Sequence, residues 1–113
     1  MPTMKQMLKE TPDVDVVMAL NDRSALGALA AIESMEIDNV LVYGVDGSPD
    51  VKELINTGLI QATAAQSPVK MGQLAYQKAK ALLENKKIEK KIEVPVELIS
   101  RDNISNFELT GWQ

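Results

Sequence analysis

The chain has 113 residues, room for one compact domain that buries about 60–70% of its unfolded surface. Hydrophobic residues make up 45% and charged residues 25%, a globular profile, and the formal charge of -4 is spread over interleaved acids and bases, leaving no basic stripe for nucleic acid. Cysteine and histidine are both absent, which excludes disulfides, thiolate or imidazole metal sites and the commonest general base.

The chain opens inside a helical pattern, with Met4, Met7 and Leu8 at i, i+3 and i+4, and this points to a piece of something longer. Thr11-Pro12-Asp13 breaks that helix, and residues 14–20 read as a buried, β-branched strand. Asp22 then caps a helix from Arg23 to about Met35, whose many small side chains suit close packing on a sheet. Residues 39–45 form the second strand. Ser48 and Pro49 start a short helix, the serine as cap and the proline in the first helical position, and Gly58 ends it.

Residues 59–65 are the third strand, broken by Gln66-Ser67-Pro68. A long amphipathic helix follows with Met71, Leu74, Ala75, Ala79, Leu82 and Leu83 on its apolar face, and the lysines and glutamates near 84–91 form a solvated exit. Residues 92–99 make a fourth strand, which Pro95 assigns to an edge or a crossing segment. Strands alternating with helices imply an α/β class: a Rossmann-like parallel sheet with helices on both faces.

Open parallel sheets bind ligands beyond the carboxyl ends of their strands. Asn21 follows the first strand, Asp46 ends the second and Gln66 follows the third. An amide both donates and accepts, and a carboxylate accepts from two hydroxyls at once, so the three suit a polyhydroxylated ligand. Asp46-Gly47 also reads as turn chemistry, and Gln66 as a solvated connector. No nucleophile–base pair or metal cluster accompanies them, so the chain is read as a binding module with no enzymatic role, no metal and no cofactor. Gly44 and Gly47 lack the spacing of a dinucleotide fingerprint. Trp112 reads as a tail anchor, with sugar stacking as the rival role. No apolar run approaches the ~20 residues of a membrane span, so no membrane insertion is expected, and the amino terminus shows no signal peptide.

Four stretches together resemble the ribose/galactose-type periplasmic binding protein family: residues 12–28 (Pro-Asp-Val-Asp-Val-Val-Met-Ala-Leu-Asn-Asp-Arg-Ser onward), 42–50 (Val-Tyr-Gly-Val-Asp-Gly-Ser-Pro-Asp), 62–68 and 94–103. The resemblance covers nearly the whole chain but only the closing part of the family's length. It implies a two-lobed clamp of Rossmann-like sheets that closes on a monosaccharide, a pentose or hexose, and presents it to an ABC permease. It also implies that Asn21, Asp46 and Gln66 contact the sugar, with Gln66 at a hinge crossing. Residues 1–66 then belong to the C-terminal lobe, 67–91 to a helix of the missing lobe, and 92–113 to the final strand and tail.

The parent would be periplasmic or at the cell surface, and this chain would carry about half of the site. The effector-sensing domain of a LacI-type transcription regulator shares the fold, but Gly44-Val45-Asp46-Gly47-Ser48-Pro49-Asp50 is nearer the transport proteins. A free-standing α/β interaction module is the third reading. A helix deprived of its own sheet would leave Met71, Leu74 and Leu82 uncovered, so a homodimer through that surface is expected.

Overall fold

The computed structural model describes residues 2–113. The elements in chain order are α1 (Pro2–Glu10), β1 (Val16–Met18), α2 (Asp22–Ser34), β2 (Leu41–Asp46), α3 (Pro49–Thr57), β3 (Ala62–Ala65), α4 (Pro68–Leu83) and β4 (Glu97–Ser100), followed by a 3-10 turn at Ile104–Asn106. Helix boundaries fall where the sequence chemistry puts them. Ser48 Oγ accepts from Val51 N at 3.4 Å with Pro49 in the first turn, and Gly58 closes α3 at a left-handed φ of 86°. The strands are shorter than the apolar runs that encode them, because ladder pairing stops where the chain turns towards each helix.

The sheet order is β1-β2-β3-β4. β1, β2 and β3 are parallel, with Met18 opposite Tyr43 and Tyr43 opposite Ala62. β4 departs from the expected all-parallel arrangement and runs antiparallel to β3 at the sheet edge, with Ala65 opposite Glu97. The reason is topological: the chain leaves at the carboxyl end of β3 for α4 and returns to that same end, so it can only run back down. Pro95, just ahead of β4, therefore lies outside the ladder, where its missing N–H costs nothing.

One core holds the molecule together. Leu8 of α1, Ala25 and Ile32 of α2, Val51 and Ile55 of α3, Val42 and Ile99 of the sheet, and Ile60 all cluster in it, each buried. Burying one such aliphatic side chain stabilises the fold by about 1.5–3 kcal/mol. Two successive right-handed crossovers in the same direction place α2 and α3 on one face of the sheet, and Leu8 brings α1 to the same side. Side chains alternate along strands, so the opposite face carries Val16, Met18, Leu41 and Leu98, all exposed. Helical cover is thus concentrated on one face rather than shared between two.

α4 stands apart. None of its residues is buried, Met71 and Leu82 are exposed, and Leu74 is half-buried beside a hollow it shares with Ile92 and Val94. The molecule measures 59 × 30 × 17 Å with a radius of gyration of 17.8 Å, against about 13 Å for a compact chain of this length. A 16-residue helix, roughly 24 Å long, projecting from the sheet accounts for that shape.

Candidate functional site

The carboxyl ends of β1, β2 and β3 meet at one edge, and a buried carboxylate ties them together. Asp22, 1% exposed, accepts from Thr63 Oγ1 at 2.7 Å and from Ser48 N at 2.6 Å, while Thr63 Oγ1 in turn accepts from Gly47 N at 3.2 Å. One side chain at the start of α2 thereby fixes the loop after β2 and the middle of β3. The approach requires a glycine in β2: a Cβ on Gly44 would lie 2.3 Å from Asp22 Oδ1. Asp22 is therefore not the helix cap expected from sequence. Asn21 caps α2, its Oδ1 accepting from Ser24 N at 2.8 Å, and Asp22 lies one residue inside the helix. Adjacent Asn and Asp are both competent caps, and the position where the chain turns decides between them.

Asp46, at the end of β2, has a φ of 132°. A non-glycine residue there stores about 1–3 kcal/mol and persists only when its surroundings hold it. Three hydrogen bonds do so. Gln113 Nε2 donates to Asp46 O at 3.1 Å, Gln66 N donates to the same oxygen at 3.4 Å, and Gln66 Nε2 donates to Asp46 Oδ1 at 2.9 Å. Asp46 and Gln66, two of the three residues singled out in the sequence, are thus in direct contact.

They share a cleft of about 510 Å³ with Pro68, Val69, Met71 and Trp112. Its character is an apolar wall around one carboxylate–carboxamide pair. Asn21 lies at the neighbouring strand end but lines a different hollow, with Met18, Arg23 and Ser24. Its carboxamide oxygen accepts the capping bond from Ser24 N.

Two residues that sequence reasoning did not single out act here. Lys52 on α3 is 1% exposed, and its Nζ donates to the carbonyl oxygens of Glu108 and Gly111, clamping the carboxyl-terminal tail. Burial pushes its pKa below the usual lysine range, and the Glu108 carboxylate opposes that shift. Gln113 reaches across from the tail to β2 and also accepts, through its main-chain oxygen, from Val69 N at 3.3 Å. Neither role has a local signal, because the nearest partner in the chain, Val69 to Gln113, is 44 residues away and the others are 56 or more. Among the described residues no cluster of three His, Cys, Asp or Glu could hold a metal ion, and no helix is long and apolar enough to cross a membrane.

Residues 2–87 match the family described as the periplasmic binding protein domain. The chain is 42% identical over 95 residues to the ribose import binding protein of Bacillus subtilis, covering 84% of this chain and 31% of that protein. Against the Escherichia coli ribose import binding protein the identity is 38% over 96 residues, covering 85% and 32%. The chain thus spans about a third of the length of the curated relatives it matches. Among solved structures, a periplasmic solute-binding protein of an ABC transporter from Actinobacillus succinogenes, with bound D-allose, superposes with a TM-score of 0.90 at 27% identity, over 94% of this chain and 37% of that one. The Caulobacter myo-inositol binding protein bound to myo-inositol gives 0.86 at 28% identity, over 93% and 37%.

Proposed function

We propose that this chain, which belongs to the periplasmic binding protein domain family, supplies one wall of a monosaccharide site in a solute-binding protein that delivers its sugar to an ABC permease. The observation that carries this reading is the Asp46–Gln66 pair at the carboxyl edge of the parallel strands, set in an apolar cleft. A sugar presents hydroxyls around a largely C–H body. Asp46 accepts two hydroxyl hydrogens, Gln66 both donates and accepts, and Asn21 donates through its NH2. Nothing in this arrangement moves protons or forms covalent bonds, so the proposed role is capture, without catalysis.

The named relatives are import binding proteins, which favours transport over the effector-sensing domain of a regulator. The same names support a periplasmic or cell-surface location for the whole protein. In this reading residues 1–66 belong to one lobe and α4 to the other, with Gln66 and Ser67 at the crossing. Support comes from the left-handed φ of 52° at Ser67, where the chain turns, and from the absence of any buried residue in α4. The uncovered apolar residues of α4 make the isolated chain prone to pair with a second copy, which sedimentation at rising concentration would register.

The test is Asp46→Ala in the whole protein that carries this chain, titrated calorimetrically with D-ribose and D-allose. A hydrogen bond to a carboxylate contributes about 1.5–3 kcal/mol, so affinity should fall ~10-fold or more. Unchanged affinity for every sugar that the parent binds would remove Asp46 from the site.

A further inference from the structure

The tail from Glu108 to Gln113 is held by more than its length requires. An ammonium group is costly to bury, yet Lys52 sits 1% exposed with its Nζ on the carbonyls of Glu108 and Gly111. Phe107 and Leu109 pack against the core on the same stretch. Beyond the clamp, Gln113 bonds to Asp46 O and Val69 N, so the tail bridges the end of β2 and the start of α4. Between these two anchors lies Trp112, half-exposed, in the wall of the cleft that holds Asp46 and Gln66. A second observation points to the same place. Gln113 Oε1 is buried without a hydrogen-bond partner among the described residues, an acceptor left open beside the strained Asp46 backbone.

We propose that the tail is part of the sugar site: Trp112 packs its ring on the C–H face of the bound sugar, and Lys52 is the positioning residue that holds the tail there. This rests on the sugar-binding reading above. The chemistry is complementary, since the carboxylate and carboxamide satisfy hydroxyls on one side while a rigid, amphipathic ring covers apolar surface on the other. Anchorage on both sides also lowers the entropy lost when the ring is immobilised by ligand.

Trp112 is the one tryptophan of the chain, so its indole N–H gives a single nitrogen–proton NMR signal. The experiment follows this signal, together with the amides of Asp46, Gly47 and Gln66, as D-ribose, D-allose and myo-inositol are each added to high-millimolar concentration. NMR at that range detects weak binding by the 113-residue chain itself. The expected result is a co-titrating shift of the indole and of the Asp46 and Gln66 amides. Trp112→Ala should then weaken binding about three- to tenfold, with Trp112→Phe restoring most of it.

Lys52→Met should move the indole signal before any sugar is added and weaken binding by a similar factor. Trp112→Ala leaves the Lys52 clamp intact, so it decides the matter even if Lys52→Met does not fold. Shifts at Asp46 and Gln66 with a silent indole, and an unchanged affinity for Trp112→Ala, would overturn this inference and leave the sugar-binding reading standing. In the whole protein that carries this chain, sugar binding seen by calorimetry with no shift at any of these signals would overturn both.

Discussion

The sharpest consequence of the buried carboxylate is carried by a glycine. In Gly44→Ala the new Cβ falls 2.3 Å from Asp22 Oδ1, a separation no real pair of atoms tolerates, while its other close neighbour, Ala25 Cβ, is at an ordinary 3.4 Å. The carboxylate must therefore move, and moving it breaks its bonds to Thr63 Oγ1 and Ser48 N. Two hydrogen bonds to a carboxylate contribute about 3–6 kcal/mol together, a large part of the ~5–15 kcal/mol that holds a domain folded. Asp22→Ala loses the same two bonds and leaves both donors unpaired, so it should cost about as much. In the Asp22→Ala background, however, the added methyl meets only the ordinary contact with Ala25 Cβ and should cost little. The double variant should then unfold in urea near the midpoint of the single variants, an interaction energy of about 3 kcal/mol. Circular dichroism with an unchanged urea slope is the assay. Additive costs, within about 0.5 kcal/mol, would show that Gly44 and Asp22 do not share the space the structure gives them.

Gly58→Ala places a side chain at a φ of 86° and should destabilise the chain by about 1 kcal/mol in the same urea assay; no loss would contradict the left-handed cap. Lys52 predicts a pH dependence whose sign follows from its lowered pKa. The unfolded chain keeps this proton to higher pH than the folded one, so stability rises as pH climbs from the lowered folded value into the usual lysine range. Below both values the contribution is flat. Measured by urea unfolding on the alkaline side, the stability difference between the wild-type chain and Lys52→Met should move in favour of wild type as pH rises; a constant difference would contradict the burial of the ammonium.

What was legible in the sequence was local. Ser48, Pro49 and Gly58 announce α3 because capping and left-handed termination are decided within a few residues. The strand ends at Asp46 and Gln66 are legible because an apolar run stops and polar residues begin. The direction of β4 was not, since no local pattern in residues 92–99 distinguishes a strand that completes a crossover from one that returns to the edge it left. Asp22 was misplaced for the same reason. Read alone, it is a good cap, and its actual partners lie 26 and 41 residues downstream. Lys52 looks like any exposed lysine on a short helix until the tail folds over it. Trp112 reads from the sequence as the tail's anchor, but it is half-exposed and the tail is held instead by Lys52 and Gln113; the cleft beside it is formed by the ends of β2 and β3 and the start of α4.

Position 46 separates what the fold needs from what a ligand needs. Of the three hydrogen bonds that hold Asp46, two end on its main-chain oxygen and only the one from Gln66 Nε2 uses the carboxylate. Glycine would keep both main-chain bonds and adopt a φ of 132° without strain. Relief of about 1–3 kcal/mol exceeds the ~0.5–1 kcal/mol of extra chain entropy that glycine loses on folding, and the one side-chain bond given up is solvent-exposed and contributes only about 0.5 kcal/mol. Asp46→Gly should therefore be at least as stable as the wild-type chain, by up to about 2 kcal/mol, while sugar binding by the whole protein falls as far as in Asp46→Ala. An aspartate at a position where glycine is more stable is a residue whose side chain is there for something other than folding. A loss of more than about 1 kcal/mol in Asp46→Gly would mean instead that the carboxylate supports the structure, and the case for it as a ligand group would lose its energetic basis.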